Sequence, residues 1–190
     1  MVPPANMMKH TPAFLVTIGA LMLAPAIANA MPETEPHGSA AGLVGWGFRE
    51  GAGFGLGVRG GYTLAQNVYI GGTFMWHAGS SSDTLVSTIS SNVYYIGVEG
   101  GYDFQVHPVV IRPYIGLGPG FGHSSGQFCT GINGIGCTSF SDTNTVFAFW
   151  FGGTVLYPLN EQWFIGGDFK LAVIDSEVLP TLAFTGGLNF

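Results

Sequence analysis

Charge is what this chain has least of. Only 8% of its 190 residues are Asp, Glu, Lys or Arg, against about a quarter in an ordinary soluble domain. A water-facing surface needs more charge than that, whereas a wall facing hydrocarbon must keep it away. Basic residues are scarcest, five against eleven acidic ones, and this excludes nucleic acid as a partner. After residue 30 no segment reaches the roughly 18 uninterrupted apolar residues of a spanning helix, so a helical membrane protein is excluded there. Cysteine occurs twice, at Cys129 and Cys137, too few for a multi-bridge scaffold and without a second ligand pair for zinc. His37, His77 and His107 are scattered, so no metal and no cofactor is expected.

Apolar residues are abundant at 47%, with 14% aromatics and 31 glycines that follow no collagen triplet. Those glycines sit among aromatics, which a disordered chain would lack. At the N-terminus Lys9 and His10 precede an apolar run from Ala13 to Ala24, and Ala28-Asn29-Ala30 offers a cleavage point before Met31. Residues 1–30 therefore read as a signal peptide, with Met7 or Met8 as alternative starts. A membrane anchor is the poorer reading, because the run is short and ends at Pro25. Removing Lys9 leaves four basic side chains against eleven acidic, a net charge of −7. In an exported chain, Cys129 and Cys137 in their Gly-rich stretch read as one loop disulfide, which would stabilise by roughly 2–3 kcal/mol.

The rest of the chain alternates with a period of two, in stretches near the roughly 10 residues of a tilted barrel strand. From Val109 to Phe121, the residues Ile111, Pro113, Ile115, Leu117 and Pro119 share one face, and Arg112, Tyr114, Gly116, Gly118 and Gly120 the other. Similar alternation marks Phe54–Tyr62, Val68–Ala78, Asn92–Phe104, Thr145–Tyr157, Trp163–Ile174 and Pro180–Phe190, with a shorter first strand at Gly42–Phe48. Greasy members are assigned outward. Arg59, Arg112 and Lys170 then face inward with Glu99, Asp103 and Asp168, an equal balance that allows pairing in a lumen just wide enough for side chains. Inward Gly55, Gly57, Gly97, Gly116 and Gly118 leave space for Tyr95, Tyr114 or Trp150. Short turns at 64–67, 105–108 and 158–162 alternate with long Ser- and Gly-rich loops at 79–91 and 124–144. The count gives an all-β, antiparallel up-and-down transmembrane barrel of eight strands over residues 41–190, after a periplasmic lead-in at 31–40. A soluble lipocalin-like barrel is the fold alternative, and it would reverse the two faces. The GxG runs, such as Gly53-Phe54-Gly55-Leu56-Gly57, repeat with strand period and lack a following helix, so they do not read as a nucleotide site.

Repeated Gly-Gly-aromatic segments carry a further signal: Arg59-Gly60-Gly61-Tyr62, Glu99-Gly100-Gly101-Tyr102-Asp103-Phe104 and Phe164-Ile165-Gly166-Gly167-Asp168. With the strand-and-turn pattern, they make the mature region resemble the small outer-membrane β-barrels of OmpA, OmpX and opacity type. Leu182, Phe184, Leu188 and Phe190 resemble that family's C-terminal sorting signal, although Leu188 stands where an aromatic is commoner and Gly186-Gly187 sit one or two residues late. The resemblance implies the Gram-negative-type outer membrane, contact with its lipid and lipopolysaccharide, assembly by the barrel-assembly machinery, and a non-enzymatic structural or surface-interaction role, with an extracellular partner reached through the two long loops. Two rival functions are a narrow channel for small apolar solutes, as in OmpW-type barrels, and a PagL-like lipid A deacylase. The first requires an unplugged apolar lumen. The second rests on His123 and Ser125, with Asp142 as the candidate acid, and two or three such residues do not make a site.

Overall fold

The computed structural model describes residues 35–49, 52–79, 82–84, 87–129 and 137–190. The segment expected as a signal peptide, with its expected cleavage residues Ala28, Ala30 and Met31, lies outside the described residues. Within them the chain forms β1 (His37–Arg49), β2 (Ala52–Thr63), β3 (Val68–Ala78), β4 (Ser82–Thr84), β5 (Ser87–Tyr102), β6 (Phe104–Val106), β7 (Val109–Cys129), β8 (Cys137–Pro158), β9 (Trp163–Ile174) and β10 (Glu177–Asn189). Every pairing is antiparallel, and β5 pairs with β7 to close the sheet on itself. The segment β6 continues β5 beyond a break at Asp103, while β4 pairs only with the outer end of β5. Eight strands therefore make the wall.

Closure fixes the barrel's dimensions. Going once round the wall, His37 faces Thr63, Thr63 faces Tyr69, Tyr69 faces Gly101, and the line continues through Tyr114, Gly152, Lys170 and Thr181 to Gly47. The circuit returns to β1 ten residues beyond its start, from His37 to Gly47. With eight strands that stagger implies a tilt of about 40° and a backbone-to-backbone diameter of about 16 Å, filled by side chains alone.

Two-residue alternation then sorts the wall. Outward residues include Ile115, Val98 and Phe147, exposed at 60, 62 and 67%. Inward residues include Leu43, Met75, Tyr95 and Trp150, all essentially inaccessible. Apolar side chains facing out and charged ones facing in is the opposite of a lipocalin-like arrangement.

Three boundaries differ from the alternation-based reading. The first strand begins at His37 rather than Gly42, so the end of the expected lead-in at 31–40 belongs to the wall. Gly38 and Phe190 exchange backbone hydrogen bonds of 2.8 and 2.9 Å, and backbone pairing needs no alternation in side chains. Second, the regions expected as loops, 79–91 and 124–144, contain long strand extensions. Register continues from Tyr94↔Phe121 up to Ser87↔Phe128, and from Phe121↔Thr145 to Cys129↔Cys137. Runs of Ser and Thr are polar on both faces and hide the two-residue period, although their backbones pair normally. Third, the expected turn at 105–108 narrows to His107-Pro108, because Gln105 and Val106 belong to β6. At the outer end of the barrel, Asp175 and Ser176 have φ of 52° and 66° and form the two-residue turn between β9 and β10, both central residues being left-handed as the twist of a tight hairpin favours.

Candidate functional site

The six inward charges are all buried, and they form two groups. In the larger, strands β2, β5 and β9 bring Arg59, Glu99, Asp168 and Lys170 to the middle of the lumen, beside Trp150 and Thr154 of β8. Arg59 donates through Nη1 to Asp168 Oδ2 at 2.7 Å and to Thr154 Oγ1 at 2.9 Å. Its Nε lies 2.8 Å from Glu99 Oε2 as an ion pair, and Nη2 reaches Oε1 at 3.5 Å. Lys170 Nζ donates to Glu99 Oε1 at 3.3 Å, and Trp150 Nε1 donates to the same oxygen at 2.8 Å. Asp168 also accepts from Tyr114 at 2.9 Å and from Thr154 at 2.6 Å. Two cations and two anions, with Arg59, Glu99 and Asp168 each tied to more than one partner and Lys170 tied to Glu99, are the arrangement in which burial can be tolerated.

Aromatic rings complete the coordination. The Arg59 guanidinium lies 4.4 Å from the Tyr114 ring centroid. Lys170 Nζ lies 5.3, 5.6 and 5.5 Å from the rings of Tyr95, Tyr114 and Trp150, so ring faces stand where water would otherwise solvate the ammonium. Glycine makes room for them. A Cβ on Gly97 would come within 2.7 Å of Trp150 Cη2, and one on Gly152 within 2.7 Å of the Tyr114 hydroxyl.

The smaller group is nearer the end of the barrel that holds the C-terminus and the short turn at 107–108, the end read as periplasmic from turn length. Arg112 grips Asp103 with two bonds, Nε to Oδ1 at 2.5 Å and Nη2 to Oδ2 at 2.8 Å. Thr63 donates to the same carboxylate at 3.1 Å, and the guanidinium stacks 3.8 Å over Tyr69. Bidentate pairing and ring stacking both exploit the planar fork of arginine, which lysine lacks.

Sequence reasoning placed the charges on one face but missed Thr63, Thr154 and Tyr69 as partners. The available signal was their inward position in the alternation. Knowing that Thr154 stands opposite Asp168 requires the β8–β9 register.

Above the membrane-facing wall, β5, β7 and β8 project as a sheet. On its outer face, Asn92, His123 and Thr143 make one cross-strand row, and Ser90, Ser125 and Ser141 the next. His123 Nδ1 contacts Thr143 Oγ1 at 2.9 Å, and the Ser90 and Ser125 hydroxyls lie 3.1 Å apart. The imidazole thus engages a threonine, while Asp142 is the register partner of Ser124 on the other face. The His123, Ser125 and Asp142 set is not brought together. Cys129 and Cys137 are register partners, and their side chains lie outside the described residues. At the C-terminus, Phe184 and Leu188 on the outer side of β10 are exposed at 62 and 37%, and Phe190, just beyond the strand, at 76%.

The family model for the outer membrane protein β-barrel domain matches residues 18–189. No curated protein sequence matches. Among solved structures, a major outer membrane protein from Thermus thermophilus shares 13% identity at a TM-score of 0.65, covering 83% of this chain and all of that one. Ail, the attachment invasion locus protein of Yersinia pestis, shares 18% identity at a TM-score of 0.52, covering 83% of this chain and 99% of its own. At such identities the likeness speaks for the fold. Together with the closed, outward-greasy wall, the family match establishes that this chain belongs to the outer-membrane β-barrel domain family and resides in the outer membrane.

Proposed function

We propose that this protein is a plugged, non-enzymatic barrel whose projecting sheet contacts the saccharide layer of the outer leaflet. The observation that carries this reading is the change of character along the outer face of β5, β7 and β8. Tyr94, Phe121 and the residues below them form the lipid-facing wall; one inward-outward repeat higher, about 5 Å along the barrel axis, the face becomes Asn92, His123 and Thr143, then Ser90, Ser125 and Ser141. Residues 122–145 contain one carboxylate, Asp142, and no Lys or Arg. A flat array of uncharged donors and acceptors, continuous with the membrane-embedded wall, suits sugar hydroxyls better than lipid phosphates.

The lumen supports the structural half of the proposal. Two interlocked charge groups occupy it where a channel would need open space, which also weighs against passage of apolar solutes. The exposed Phe184 and Leu188 on β10 and Phe190 just after it fit the proposed role as an assembly signal for the barrel-assembly machinery. A Cys129–Cys137 disulfide is proposed at the tip of the β7–β8 hairpin. Opposed antiparallel residues stand about 4.5–5.5 Å apart at Cα, inside the range a disulfide spans. Alkylation with and without reductant, read by mass, decides whether those thiols are bonded.

The test of the main reading compares the full chain with its Ser125→Ala, Ser141→Ala, Thr143→Ala triple variant, each refolded into vesicles containing lipopolysaccharide or lipid A stripped of the core and distal saccharides. Several-fold weaker retention of intact lipopolysaccharide by the variant, with equal retention of the stripped lipid, is the expected result. Equal retention of the intact glycolipid by both proteins overturns the saccharide contact. Planar-bilayer recording tests the plug separately: a steady open conductance would defeat it.

A further inference from the structure

The two ends of the lumen hold cavities of equal volume, each lined by both polar and apolar side chains. Each measures about 210 Å³. The periplasmic one is lined by the Arg112–Asp103 pair, by His37, Ser39, Gln105 and Asn189, and by the apolar Val110, Leu156, Pro158 and Phe164. At the extracellular mouth, three strands repeat one motif. On β5, β8 and β10 the inward residue at the rim is polar, Ser91, Asn144 and Glu177. The next inward residue toward the membrane is aliphatic: Val93, Val146 and Leu179. Ala52 and Ile174 complete the apolar belt. Beneath it, the rings of His77 and Tyr95, stacked at 6.2 Å between centroids, and of Trp150, tilted by 43° at 5.1 Å from Tyr95, close the lumen. The result is a blind cup with an aliphatic wall and a polar lip.

Aliphatic surface in an open, water-accessible vestibule costs free energy unless an apolar body covers it. The lip sets the sign of charge that body should carry. Arg49 is paired with Glu177, and Asp175, also in the lining, leaves one carboxylate in excess. Size follows from volume: an apolar cavity of about 150 Å³ accommodates benzene, so 210 Å³ suits a slightly larger ring system.

We infer that the extracellular mouth is a binding cup for a small aromatic or alicyclic organic cation, its ring against Val93, Val146 and Leu179 and its cationic group at Asp175 and Glu177. This site lies inside the barrel mouth and stands apart from the saccharide reading, which uses the outer face of the sheet. Binding there requires neither transport nor chemistry, because the ring stack and the charge groups below seal the cup.

The test uses the refolded full chain in micelles, titrated with 2-naphthylmethylammonium and, separately, 2-naphthylacetate, with binding read by ligand-observed NMR. The cation is expected to bind saturably and at least fivefold more tightly than the anion. Val146→Trp, which fills the cup, is expected to abolish saturable binding, and Asp175→Lys to reverse the preference between the probes. Asp175 sits in an exposed turn, so this second variant keeps the barrel intact should Val146→Trp fail to fold; the heat-modifiable gel mobility of a folded barrel reports which has occurred. Equal affinity for the two probes, absence of saturation, or Asp175→Lys titrating like the parent protein overturns the inference.

Discussion

Strands β7 and β8 pass through two environments, and the contrast between their lower and upper halves shows what polar side chains do in each. In the lumen, Arg112, Tyr114, Trp150 and Thr154 each have fixed partners, and several of those partners are shared. In the projecting sheet, Ser124, Ser125, Asp142 and Thr143 line up in register at half-buried or exposed positions. A polar group enclosed by protein loses water and must recover its hydrogen bonds from neighbours, whereas one at the surface keeps its solvent. The same hairpin is therefore interlocked below and loosely specified above.

The sharpest way to break that contrast is to remove the carboxylate at the centre of the larger charge group. Glu99→Ala strands Arg59 and Lys170 beside a single Asp168, and a cost of about 3–5 kcal/mol is expected, measured by urea unfolding of vesicle-embedded protein. A cost below about 1 kcal/mol would mean that the lumen is as loosely coupled as the sheet. Ile115→Arg tests the assignment of sides. At 60% exposure on the lipid face, it should lose about 2–4 kcal/mol if it lies near the bilayer midplane, and no loss would place that face in water.

Packing is the next smaller effect. A Cβ on Gly116 would lie 2.7 Å from the Val98 carbonyl and closer still to the Trp150 ring. Gly116→Ala should cost about 1–3 kcal/mol and alter the near-UV circular dichroism of Trp150. The smallest change belongs to the sheet: Ser125→Ala is expected to shift stability by no more than about 0.5 kcal/mol, in the same urea assay. A large loss there would show that the hydroxyl rows are coupled as tightly as the lumen.

Much of the wall was legible in the alternation. Ile111, Ile115 and Leu117 face out and Arg112 and Tyr114 face in, as the two-residue period of β7 assigns them. What failed was the reading of segments without contrast. Residues 124–129 and 137–144 look like loop because Ser, Thr, Asn and Gly hide the period, and His37–Ala41 escaped notice because the pairing that makes them strand comes from β2 and from the far end of the chain. The candidate set at His123, Ser125 and Asp142 was a coincidence of sequence neighbours. Odd and even positions of paired strands face opposite ways, so Asp142 could not serve His123.

By itself the sequence determined the class of solvent and the side each residue faces: charge is scarce, apolar residues recur at every second position, and chain stereochemistry converts that period into two faces. Partnership belonged to the tertiary structure alone. Arg59 meets Glu99, Asp168 and Thr154, residues 40, 109 and 95 positions away, because a ten-residue stagger around the closed wall brings those rows to one height. No local property of a strand carries that offset; it exists only once the eight-stranded wall has closed.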